Sequence, residues 1–160
     1  MKLASWRPTA PYSVILMALL HTGQRLGQIK AFRPEWIEGD VIRFPASIMK
    51  GKREHVIPAT ETTKAVLSRL TPYQNWSDMH RIMLKETGLP HFTRHDLRRS
   101  YSTGMAQLGI APHIIERLLD HQTGTISGVA AVYQRYSFMP QMREAVALWQ
   151  AHLENLANPS

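Results

Sequence analysis

The sequence predicts a mainly α-helical domain that carries one small, three-stranded antiparallel sheet. Three observations predict it. From Thr60 onward apolar residues recur at helical spacing, most plainly at positions 142, 145, 146, 149 and 153. Strand-like runs are confined to the stretch between Trp36 and Ile57, where Gly39-Asp40 and Gly51-Lys52 supply turns. No Pro/Gly/Ser-rich linker divides the chain, so residues 1–160 are expected to form a single domain.

The elements follow in order. Met1 to Pro11 is irregular, broken by Pro8 and Pro11. The apolar run from Tyr12 to Leu20 predicts a buried helix ending near His21. It is short of the roughly 20 residues that span a bilayer, and no membrane partner is expected. Gly23 punctuates it, and a short second helix is expected over Arg25–Ala31. Strands are predicted at Trp36-Ile37, Val41–Phe44 and His55–Ile57. Thr60, after Pro58, is the expected N-cap of the next helix. Further helices are predicted over Ser77–Glu86 (ending at Gly88), Thr93–Leu108 (ending at Gly109), Pro112–Leu119, Ser127–Tyr136 and Pro140–Leu156.

Composition narrows the function classes. Hydrophobic residues make up 44% of the chain, enough for a packed core. Lys and Arg number 19 against 12 Asp and Glu, a net charge of +7, which favours a polyanionic partner, nucleic acid first and an anionic membrane surface second. The absence of cysteine removes disulfides, thiolate metal sites and cysteine nucleophiles, and fits a reducing, cytoplasmic setting.

Several short motifs carry candidate chemistry. In His95-Asp-Leu-Arg98 the spacing i, i+3 puts an imidazole and a guanidinium on one helix face, where both can hold a phosphate. Thr22-Gly-Gln-Arg25 places a second guanidinium just after a helix break. Lys50 and Lys52 stand at a hairpin tip, from which a lysine can deliver a proton; composition does not separate them. Leu119-Asp-His121 lies at a helix end, and Tyr133 sits among small residues in Val129-Ala-Ala-Val-Tyr-Gln-Arg135. Taken singly, each has an ordinary reading as solvated surface or core. His91 and His95 have the i, i+4 spacing of a helical zinc pair, but the helix is expected to begin after His91 and no third ligand is evident, so no metal is expected. His21, His55, His80, His113 and His152 are read as surface or partly buried residues.

The order Arg25, Lys50, His95, Arg98, His121, Tyr133 resembles the catalytic series of the tyrosine site-specific recombinases, closest to integrases of prophages and genomic islands. The local contexts resemble the family too: His-Thr-Gly-Gln-Arg-Leu-Gly-Gln-Ile its first arginine box, Thr-Arg-His-Asp-Leu-Arg-Arg-Ser its second, and Leu-Leu-Asp-His-Gln with Gly-Val-Ala-Ala-Val-Tyr-Gln-Arg-Tyr its third. The resemblance covers about residues 12 to 155 and favours Lys50 over Lys52 by its distance to Val56-Ile-Pro58. It implies the recombinase catalytic-domain fold, without the core-binding domain that usually precedes it. Two departures stand out. Gln28 replaces the usual Glu, so a looser Arg25 is expected. Asp120 replaces the usual Gly beside His121, where a carboxylate is expected to raise the imidazole's pKa.

The resemblance implies metal-free phosphoryl transfer on double-stranded DNA, with no cofactor and with four protomers assembled on two duplexes. Tyr133 attacks the scissile phosphate to form a 3′-phosphotyrosine, which stores the phosphoester energy for rejoining. A phenol of pKa about 10 needs a base, and His95 is the candidate. Arg25 and Arg98 neutralise the non-bridging oxygens, His121 donates a further hydrogen bond, and Lys50 protonates the leaving 5′-oxygen. The alternatives are a type IB topoisomerase-like nicking and closing enzyme, a DNA-binding remnant that no longer cleaves, and a basic helical protein with chance motifs.

Overall fold

A computed structural model describes residues 6–7, 10–121 and 138–157. The described chain is mainly helical, with one three-stranded antiparallel sheet. Among the described residues no helix is long and apolar enough to cross a membrane.

Helix α1 (Pro11–Thr22) is the centre of the molecule. Its apolar run has no polar face, so it is stable only when wrapped on all sides, and nearly every side chain is buried. Pro11 at the first helical position starts it, and Gly23, at φ +64°, stops it with its N–H on the Leu19 carbonyl at 2.8 Å. A short α2 (Leu26–Lys30) follows. Arg25 was expected inside this helix; its extended backbone, φ −71° and ψ 148°, makes it the N-cap instead.

The sheet is β1 (Ile37–Glu38), β2 (Val41–Phe44) and β3 (His55–Pro58), paired in that order. Trp36 belongs to a 3₁₀ turn, Pro34–Trp36, because Pro34 opens a turn rather than a ladder, so the first strand starts one residue later than expected. Ile42 opposite Ile57 and Phe44 opposite His55 face the core, while Arg43 faces outward and pairs with Glu38 and Glu54. The β2–β3 connection holds a second 3₁₀ turn, Ala46–Ile48, and then the basic tip.

The remaining helices are α3 (Glu61–Leu67), α4 (Trp76–Thr87), α5 (Arg94–Gln107), α6 (Pro112–Leu118) and α7 (Met139–Ala157). Thr60 caps α3, its hydroxyl accepting from the Thr63 N–H, and Gly88 ends α4 in the left-handed conformation. Thr93 and Asp96 form a reciprocal capping box that starts α5 after His91, so His91 and His95 do not share a helix face. The stripe Met142, Ala145, Val146, Trp149 and Leu153 of α7 is buried on the protein's own core. Gly104 in mid-α5 lets Trp149 approach; a Cβ there would stand 2.3 Å from the indole. The Trp149 N–H then reaches the Leu20 carbonyl at 3.0 Å and ties α7 to α1. The helix expected over Ser127–Tyr136, Tyr133 included, lies outside the described residues.

Candidate phosphate-binding cleft

Arg98 is the hub of the candidate site. It lies one turn into α5 and is only 4% exposed. One terminal nitrogen donates to the Gly23 carbonyl at 2.7 Å and the other to the Leu119 carbonyl at 2.5 Å. Burying a guanidinium is costly unless its donors are matched, and here two carbonyls freed at helix ends match it. One side chain thus joins the turn after α1, the first turns of α5 and the end of α6. Two of its five N–H donors are engaged by these bonds. Burial, reinforced by the nearby Arg25 charge, lowers its pKa to about 10, which still leaves it cationic at neutral pH.

Gly23 makes this geometry possible. Besides its positive φ, a Cβ at this position would lie 2.5 Å from the Tyr101 ring and 2.9 Å from Leu119. Gln24, fully buried, adds a second tie by donating from Nε2 to the Thr22 and Leu118 carbonyls, while its Oε1 has no partner.

A cleft of about 260 Å³ opens beside Arg98, lined by Gln24, Arg25, Leu26, Thr93, Arg94, His95 and Arg98. Three of the six residues singled out in the sequence therefore share one concave surface: Arg25, His95 and Arg98. His95 is exposed on the first turn of α5. The positive end of the α5 dipole lies here and favours an anion. Arg25 is half-buried, and Gln28 acts on its backbone rather than its guanidinium, with Oε1 accepting from the Arg25 N–H at 2.7 Å. Gln28 is itself buried and donates to the Met49 sulfur, so its neutral amide fits a site with no room for a charge.

The carboxylate near Arg25 comes instead from Asp120, at 3.9 Å, and Asp120 also lies 3.6 Å from Arg53. Helix α6 closes in a Schellman motif: the His121 N–H bonds to the Glu116 carbonyl and the Asp120 N–H to that of Arg117. Asp120 occupies the left-handed position of this motif, φ +51°, where glycine is the easiest fit. Asp120 does push the His121 pKa upward, as expected, and Glu116 does so too. Partial desolvation, then the Arg98 and Arg25 charges, outweigh them, so the imidazole is held below its ordinary value.

His121 is exposed just past the end of α6 and Lys50 is exposed at the hairpin tip; neither lines the cleft. Lys52 adopts φ +52° in the same turn and also lies outside it. His21 and His55 are core residues, a correction to their reading as surface or partly buried. His21 bonds to Gln150 and His55 to the Leu118 carbonyl, and burial pushes both below their ordinary pKa. Arg53, His55 and Gln24 were missed as neighbours of the site. Arg53 sits in a run of charges that looks like ordinary turn surface, and the others gain meaning only through contacts with the end of α6. Comparison with protein-family models, with curated proteins and with solved structures finds no match.

Proposed function

We propose that this chain is the catalytic domain of a tyrosine site-specific recombinase, which cuts and rejoins DNA through a covalent 3′-phosphotyrosine on Tyr133. One observation carries the reading. A single buried guanidinium, Arg98 in the second segment, bonds to Gly23 in the first and to Leu119 at the start of the third, whose remainder lies outside the described residues, beside a cleft that Arg25 and His95 also line. Chance motifs on a generic helical protein have no reason to converge in this way.

In this reading the cleft binds the scissile phosphate. Arg25 and the remaining donors of Arg98 offset charge on the non-bridging oxygens, an arrangement that needs no reorganisation during the reaction. His95 takes the Tyr133 proton as the phenolic oxygen bonds to phosphorus. Lys50 gives a proton to the 5′-oxygen as its bond to phosphorus breaks, and His121 donates a hydrogen bond to the phosphate. Rejoining runs the same steps backwards with a 5′-hydroxyl as nucleophile, and four protomers on two duplexes would exchange strands. The buried phenols of Tyr12 and Tyr101, both pushed above their ordinary pKa by desolvation, are poorly suited to be the nucleophile.

The test is incubation with nicked, fragmented DNA followed by denaturation. A wild-type protein–DNA adduct that is absent from Tyr133→Phe supports the reading. Equal adducts from both proteins would refute it, and DNA binding without any adduct would favour the non-cleaving remnant.

A further inference from the structure

We infer that Asp120 is an internal stand-in for a DNA phosphate, and that Arg53 is a further phosphate-binding residue held ready on it; this rests on the phosphate-binding reading of the cleft. Asp120 is poorly suited to its place on local grounds. Its backbone is left-handed, a carboxylate is disfavoured at the negative end of a helix, and its side chain is only 14% exposed. The compensation visible around it is cationic: Arg25 on one side and Arg53 on the other.

Both pairs are long, 3.9 and 3.6 Å, whereas Arg43–Glu54 and Arg143–Asp40 on the same molecule close to 2.6 and 2.8 Å. A cation paired as loosely as Arg25 is one that an incoming anion can take over. Arg53 is 60% exposed, and its contact with Asp120 ties the basic hairpin tip to the end of α6, next to Arg25. A phosphate bound by Arg25 and Arg98 would compete with Asp120 for Arg25. Arg53, released from the carboxylate, could then reach the same or the adjacent phosphate. The carboxylate thereby weakens binding to duplex DNA while the site is empty of its proper ligand.

The experiment is anisotropy of a fluorescein-labelled, random-sequence duplex over a range of salt, with Asp120→Asn and Arg53→Gln. Asparagine keeps the shape and tolerates a left-handed backbone, and Asp120→Gly serves if it does not fold. Asp120→Asn removes the competing carboxylate and should tighten binding severalfold with little change in the log–log salt slope, because the same cations meet phosphate in either protein. Arg53→Gln loses one phosphate contact and should make the slope shallower by about 0.9, weakening binding about eightfold at about 0.1 M salt. A folded Asp120→Asn that binds no tighter, or an Arg53→Gln that binds like wild type, overturns the inference and leaves Asp120 as a carboxylate that orients Arg25. Absence of duplex binding in every variant overturns both the inference and the DNA reading. The Asp120→Asn effect without any Tyr133 adduct would retain the phosphate exchange and remove the recombinase.

Discussion

Helix α5 separates two concave regions that differ in kind. On one side His95 and Arg98 line the 260 Å³ cleft with Arg25; on the other Leu97, Ser100, Thr103 and Gly104 border a groove of about 690 Å³ with Trp149, Leu153 and Leu156 of α7. The larger void is mostly apolar. The smaller one gathers cations from segments more than seventy residues apart, joined through one buried side chain. Under the proposed recombinase reading, volume alone would choose the wrong region. Convergence of charge from distant parts of the chain chooses the cleft.

Substitution does the most damage at Arg98. Arg98→Ala leaves two carbonyls without a donor and a cavity between three segments, so a loss of about 4 kcal/mol is expected in urea unfolding, together with loss of DNA cleavage. Gly23→Ala acts on the same joint through the Tyr101 ring and the positive φ, and should cost about 3 kcal/mol. On the groove side Gly104→Ala meets Trp149, but alanine's better helix propensity offsets part of the clash. A smaller loss of about 1–2 kcal/mol is expected, with cleavage per folded molecule unchanged. Arg25→Ala sharpens the contrast from the other direction: stability should change by less than about 1 kcal/mol, because its ion pair is loose and partly exposed, while strand cleavage falls about a hundredfold.

The smallest effect is on pH. His21 and His55 are held below their ordinary 6.5 chiefly by burial. Between the lowered values and 6.5 the unfolded chain binds more protons than the folded one. Stability is therefore complete above 6.5 and declines as pH falls through that window. Urea midpoints at about pH 7.5 and about pH 5.5 should show the decline, and His21→Gln with His55→Gln should flatten it.

Much of the fold was legible because local chemistry decides it. Pro11, Thr60, Thr93, Gly23, Gly88 and Gly109 mark helix ends by capping or by backbone freedom, and the α7 stripe follows from periodicity. The errors at Arg25 and Trp36 are single-residue shifts at boundaries, where helix and turn differ by one peptide rotation. The residues of the cleft were legible as types and order, not as roles. Nothing local reveals that Arg98 holds carbonyls as well as facing a cleft, or that Asp120 pairs with Arg25 and Arg53 as well as acting on His121. Those relations depend on how the end of α6 meets the turn after α1, a tertiary contact with no sequence period.

The most direct test of the central claim is to locate the covalent bond. DNA adducts trapped on a nicked duplex would be digested with trypsin and nuclease and sequenced by mass spectrometry. The account predicts a nucleotide remnant on the peptide Leu118–Arg135, which contains a single tyrosine, Tyr133. A remnant on any other peptide would contradict it.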